Sequence, residues 1–430
     1  MPTVKEKLAK KIPQWREELK EFLANHGDEV VSDVKIRQVI GGMRGVKSLL
    51  CDTSSVSPDH GVIIRGHPIK DLVDRLPEEV FFLLLTGEFP CKEELDDLIT
   101  QKIRRGPVPQ YVWDVLDSMP LDSHPMAMFN TAILVMQKES RFARQYQEGL
   151  RKENYWEPVL EDALSILTKV TSISAYIYRR RFHIGPRIEP DFTLDWAANY
   201  ARMLGLPEKS DEFTKLIRLY MVLHCDHESG NVSAFTSHTV GSALSDPYYA
   251  LSAGLNGLAG PLHGLANQEC LRWILMVMDK FGGVPDEKQL EDFTWDTLNK
   301  GKVIPGYGHA VLRVTDPRFE AIHDFGEKYC SDEPIFQTVD QVYKVVPNIL
   351  KQIEKIKDPW PNVDAISGAL LYHYGVKEIS YYTVLFSVSR ALGILSQQVL
   401  SRALMLPIVR PKSVTFDWLK NYVEEQEKKS

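Results

Sequence analysis

The chain has 430 residues, 44% apolar and 10% aromatic, enough for large cores in two or three domains. A formal charge of -7 leaves no basic footprint of the kind nucleic-acid binders carry, so the arginines call for individual explanations. The five cysteines, Cys51, Cys91, Cys225, Cys270 and Cys330, are scattered without C-x-x-C spacing, which argues against a disulfide framework and against a zinc site, and fits a reducing, intracellular compartment.

At the N-terminus, "MPTVKEKLAKKIPQWREELKEFL" mixes acids and bases at helical spacing, unlike a signal peptide or a typical transit peptide. No apolar run reaches the roughly 18 residues that a membrane span needs. The favoured expectation is therefore a prokaryotic cytoplasmic protein, with the mitochondrial matrix as the alternative if a transit peptide has been removed. Two-residue alternation is sparse, and "GVIIRGH" (61 to 67) is the best candidate for a short strand. In "SDEFTKLIRLYMVLHCDHE", Ser210 is the expected N-cap, and Phe213, Leu216, Ile217, Tyr220 and Leu223 form one apolar stripe. Continued at the same spacing, that stripe takes in His224 and His227. His224 then reads as a hydrogen-bonded core histidine. A metal site on His224, His227 and Glu228 is disfavoured, because the spacing matches neither H-E-x-x-H nor H-x-x-E-H.

Further along, Gly260 and Pro261 break a helix in "GLAGPLHGLANQ" and put His263 at a chain reversal. "IPGYGHAVLRVTDPRF" (304 to 319) sets His309 between glycines and arginines, and Gly306 and Gly308 permit positive φ and close approach by a ligand. Arg318 in that stretch and Arg410 in "LPIVRPKS" lie beside prolines in loops, where solvation is the ordinary state. Asp364 follows Pro361 at a helix start, where an acid commonly serves the cap and the dipole. "YYTVLFSVSRALGILSQQVLSRALML" is apolar almost all round and reads as a buried central helix or part of a subunit interface. Arg390 within it needs an anion, either a structural carboxylate or a ligand held by the guanidinium fork.

Periodicity is helical nearly throughout, so the fold is expected to be all-α. A large helical domain covers 1–265, a smaller inserted domain 266–378, and 379–430 returns to the large one. Phosphate cradles and the G-x-S-x-G elbow are missing. One acid, two loop histidines and several arginines suit acid/base chemistry on an anionic substrate, with no metal.

"GGMRG", "LHCDHESGNVSAFTSHTVGSALSDPY", "NGLAGPLHGLANQE", "PGYGHAVLR", "TDPR", "PWPNVDA", "YYTVLF" and "RPKS", in this order, resemble the citrate synthase family, essentially end to end and most closely its mitochondrial-type branch. The resemblance implies a mostly helical homodimer with its active site in an interdomain cleft and no permanently bound cofactor. It implies catalysis by Asp364 as base toward acetyl-CoA, His263 as donor to the thioester oxygen, and His309 as donor to the oxaloacetate carbonyl. His227, Arg318, Arg390 and the partner subunit's Arg410 would hold oxaloacetate. Coenzyme A would meet Arg44, Arg144, Val303, Gly306, Gly308, Arg313 and Asn362. Phe235 and Ile366 stand where many relatives have histidine. The alternatives are a 2-methylcitrate synthase using propionyl-CoA, or a non-catalytic dicarboxylate or acyl-CoA binding protein on the same scaffold.

Overall fold

A computed structural model describes residues 3–206, 211–309 and 311–429, apart from the side chains of residues 102 and 103. Ser210, the expected N-cap, lies outside the described residues. The chain opens with α1 (Val4–His26), α2 (Ile36–Ile40), β1 (Ser54–Ser57), β2 (Gly61–Ile64) and β3 (His67–Pro68). Then follow α3 (Pro77–Thr86), α4 (Lys92–Arg105), α5 (Gln110–Ser118), α6 (Pro125–Val135), α7 (Arg141–Gln147), α8 (Trp156–Arg181) and α9 (Trp196–Leu204). After these come α10 (Asp211–Leu223), α11 (Val232–Ser242), α12 (Pro247–Leu258), α13 (Ala266–Phe281), α14 (Glu287–Asn299) and α15 (Pro317–Cys330). The chain closes with α16 (Pro334–Leu350), α17 (Asp364–His373), α18 (Tyr382–Ala403) and α19 (Phe416–Glu427).

The helices form where the sequence supplies caps and apolar stripes. Thr3 and Glu6 close a reciprocal capping box at the start of α1, and Asp316 caps α15 with Pro317 in the first turn. The expected strand is present as β2 and β3, and β1 pairs antiparallel with β2, Ser54 opposite Ile64 and Ser57 opposite Gly61. β1 escapes a pattern search because "SSVS" is polar and short.

Helix α18 is the post of the molecule, packed by α8, α3, α10, α11, α12 and α6. It corrects the expectation that no apolar run is long enough for a membrane: Ile379–Ala403 is long and apolar enough, with a mean hydropathy of 1.2, but 83% of that window is buried inside the protein. Its apolar circumference serves a core. Helices α13 to α17 pack chiefly on one another, α13 against α17 and α16, and α14 against α16.

Candidate active site

Helix α10 ends at Leu223, so His224 and His227 do not extend its stripe as the periodicity suggested. The chain leaves the helix because Asp226 and Glu228 are bound elsewhere. The buried Asp226 carboxylate accepts from the Ser54 hydroxyl (2.9 Å) and from Gln397 (2.8 Å). Glu228 adopts a left-handed φ of 57° and accepts at Oε1 from the Val56 N–H (2.8 Å). This turn presents His227 toward His309, with ring centroids 5.6 Å apart. Nε2 of His227 is buried and has no hydrogen-bond partner among the described residues, which leaves it free to meet a ligand atom. His224 is the core histidine expected: Nδ1 sits 3.0 Å from the Tyr220 carbonyl and the ring stacks on Tyr220.

Arg390 is 2% exposed. Its Nε donates to the His224 carbonyl at 3.1 Å and its Nη1 reaches Asn231 Oδ1 at 3.5 Å, while no carboxylate among the described residues forms an ion pair with it. Burial lowers its pKa to about 10, against the distant pull of Asp226. A structural carboxylate, one of the two anions expected for it, is therefore not found among the described residues. Arg318 departs from expectation in another way: it is 5% exposed, on the first turn of α15, and forked onto Asp316 through Nε (3.1 Å to each oxygen) and Nη2 (2.6 Å). Asp316 also caps α15 and accepts from the Val363 N–H (3.3 Å). Sequence reasoning missed Asp316, although an acid directly before a proline at a helix start is a recognisable cap signature.

The two loop histidines are locked in opposite tautomers. Nε2 of His263 accepts the Ser233 N–H at the start of α11 (3.2 Å), and a backbone donor cannot reverse its role, so the ring proton lies on Nδ1. Nδ1 of His309 accepts from the N–H groups of Val311 and Leu312, both at 3.0 Å, so its proton lies on Nε2. Burial pushes both rings to about 4, with Arg390 adding to it at His263 and Arg318 at His309. Both are neutral donors at neutral pH.

Asp364 opens α17, but it does not cap it. Asn362 takes that part, accepting the Asp364 N–H at 2.9 Å, and no hydrogen bond reaches the Asp364 carboxylate among the described residues. Burial raises this carboxyl to about 6, with Arg318 and Arg390 opposing and Asp316 adding. A half-buried, unengaged carboxylate whose pKa is near its working range is a poised base.

The glycine loop joins these parts. Gly306 and Gly308 have φ of 78° and 90°, as their positions require. A Cβ on Gly306 would lie 2.8 Å from the Ala365 Cα, so only glycine lets the loop press on the start of α17. Asn362 Nδ2 donates to the Gly308 carbonyl (3.0 Å) and Arg313 donates to the Val311 carbonyl (3.0 Å). Of the proposed coenzyme residues, Gly306, Gly308, Arg313 and Asn362 thus form one loop system, with Val303 exposed at its edge. Arg44, Arg144 and Arg410 are exposed and, among the described residues, make no hydrogen bond or ion pair with the site residues of their own chain. Phe235 is 40% exposed on α11, and Ile366 is buried in the first turn of α17.

Comparison with known proteins supplies the context. The family model described as the C-terminal domain of citrate synthase matches residues 42–412. The chain is 46% identical over 432 residues to the mitochondrial citrate synthase of Daucus carota, covering 98% of this chain and 91% of that one. It is 47% identical over 422 residues to the mitochondrial citrate synthase of Citrus maxima, covering 96% and 89%. Among solved structures, citrate synthase from Pyrobaculum aerophilum superposes with a TM-score of 0.80 at 26% identity, covering 90% of this chain and 97% of that one. The mitochondrial names of these plant relatives overturn the expectation of a prokaryotic cytoplasmic protein.

Proposed function

Because this chain belongs to the citrate synthase family and condenses acetyl-CoA with oxaloacetate to give citrate and CoA, we propose that Asp364, His263 and His309 carry the bond-forming step. The observation that supports this most is the protonation pattern: one carboxylate free to accept, and two neutral histidines each with a single proton fixed by backbone amides. Asp364 takes a proton from the acetyl methyl. His263 donates from Nδ1 to the thioester oxygen, where charge develops as the enolate forms. His309 donates from Nε2 to the ketone oxygen, which becomes the alkoxide when the new carbon–carbon bond closes. A methyl beside a thioester is too weak an acid for a carboxylate alone, and a preorganised donor at the oxyanion is worth about 3 to 4 kcal/mol. Hydrolysis of the resulting thioester releases citrate and CoA.

In this reading oxaloacetate lies among His227, Arg390 and Arg318, with the partner subunit's Arg410 completing the site in a homodimer. The glycine loop and Arg313 meet the coenzyme; Arg44 and Arg144 rest on the family resemblance alone. We place the enzyme in mitochondria, as its relatives are named. Thiol release measured with oxaloacetate and acetyl-CoA, beside propionyl-CoA, tests the assignment; a preference for propionyl-CoA would make it a 2-methylcitrate synthase.

Arg390→Met should separate binding from stability. A buried guanidinium without a carboxylate is costly, and apolar replacements of similar volume are often neutral or stabilising. The thermal midpoint of the ligand-free protein should hold or rise, and the stabilisation by oxaloacetate should vanish. A variant that still gains stability from oxaloacetate would sink the role given to Arg390.

Oxaloacetate should also draw the two units together. His227 and Arg390 belong to the proposed body, 1–265 with 379–430, and His309 and Arg318 to the proposed insert, 266–378. A ligand that touches both favours the closed state by its differential affinity. Small-angle scattering should show a smaller radius of gyration at saturating oxaloacetate, and identical profiles would count against the hinge.

A further inference from the structure

The β1–β2 hairpin is the main piece of sheet in a helical protein, and its two ends grip the two sides of the site. At one end, Ser54 Oγ donates to Asp226 (2.9 Å) and accepts the Glu228 N–H (2.8 Å), while the Val56 N–H donates to Glu228 (2.8 Å). These contacts bracket His227 on both sides. At the other end, the Pro58 carbonyl accepts the Arg313 N–H (2.9 Å), and Gly61 lies against Pro317, next to Arg318. Gly61 has φ +70°, and a Cβ there would fall 2.6 Å from Pro317 Cδ and 2.8 Å from Cγ. An ion pair between Lys70 and Glu320 holds the same helix just beyond. One short element therefore spans from the His227 turn to the start of α15.

We propose that the β1–β2 hairpin is a strut that limits how far closure can bring Arg318 toward His227 and so sets their spacing in the oxaloacetate-bound state, with Ser54 and Gly61 as positioning residues for oxaloacetate. Neither residue touches substrate in this scheme; each acts through the segment it holds. The proposal rests on oxaloacetate lying between His227 and Arg318. Direct binding to His227→Ala tests that premise separately, since normal affinity there would remove the premise whatever the hairpin variants do.

Gly66 provides the control, because it lies in the turn after β2 with φ +85° and a Cβ there would meet nothing within 4 Å among the described residues. Gly61→Ala and Gly66→Ala therefore share the cost of a positive φ, and only Gly61→Ala pushes on α15. Gly61→Ala should raise the KM for oxaloacetate about tenfold with little change in kcat or in the KM for acetyl-CoA, the pattern of lost uniform binding. Gly66→Ala should keep wild-type kinetics, and adding Pro317→Ala to Gly61→Ala should restore the KM by making room for the methyl. Ser54→Ala should raise the same KM from the other end, and Ser54→Thr, which keeps the hydroxyl, should not. If Gly61→Ala fails to fold, Ser54→Ala decides alone. Equal oxaloacetate KM values for Gly61→Ala and Gly66→Ala, or an unchanged KM in Ser54→Ala, would overturn the strut.

Discussion

Asp364→Ala is expected to lower turnover by about 10²- to 10⁴-fold, the usual worth of a positioned base, while oxaloacetate binding by calorimetry stays nearly intact. The division follows from the contacts. Asp364 gives no hydrogen bond to the ketoacid's cradle, whereas Arg390 is buried beside the His227 turn. His309→Ala should weaken both binding and turnover if its donor acts on the ketone as proposed. A companion pH profile follows with a definite sign. The Asp364 carboxyl, raised to about 6, is ionised above that value and protonated below it. His263 and His309, lowered to about 4, stay neutral across the same range. The acid limb of kcat/KM, which reports the ligand-free protein, should therefore fall as pH drops through about 6, with the slope of a single proton. If Asp364→Ala lost oxaloacetate affinity as severely as Arg390→Met, or if the acid limb lay near 4, the role of Asp364 would be wrong.

Mixed dimers should recover activity from two dead parents. Arg410 is exposed on the segment that follows the buried post α18, and a two-fold axis makes any donation by it reciprocal. Asp364→Ala subunits refolded with Arg410→Ala subunits then give a hybrid in which one site carries both defects and the other none. With random pairing, half the dimers are hybrids and half their sites are whole, so activity should reach about a quarter of wild type. If Arg410 serves its own chain, every site keeps one defect. Mixtures as inactive as their parents, with subunit exchange verified, would sink the cross-subunit assignment.

Much of the site is legible in the sequence because its residues sit in local contexts that punctuate the chain. Gly306 and Gly308 mark a ligand loop by residue type and spacing, and both take the positive φ that their type allows. Arg390 is conspicuous as a charge in the middle of an apolar helix. The His227 turn is less legible: helical spacing carries the stripe past Leu223, where side chains from Ser54 and Gln397, 172 and 171 residues away from Asp226, redirect the backbone. Periodicity reports only what neighbours a few positions apart can do for each other.

By itself, then, the sequence determined the helical class, the buried post α18, the loop bearing His309 and, through its ordered motifs, the family. Tertiary structure alone decided the chemical states. Ser233, 30 residues from His263, places that ring's proton on Nδ1; Asn362 relieves Asp364 of capping; Asp316 holds the Arg318 fork; and a hairpin ties the His227 turn to α15. The physical reason is that protonation and orientation depend on burial and on hydrogen-bond partners, and those are set by which distant segments the core brings together.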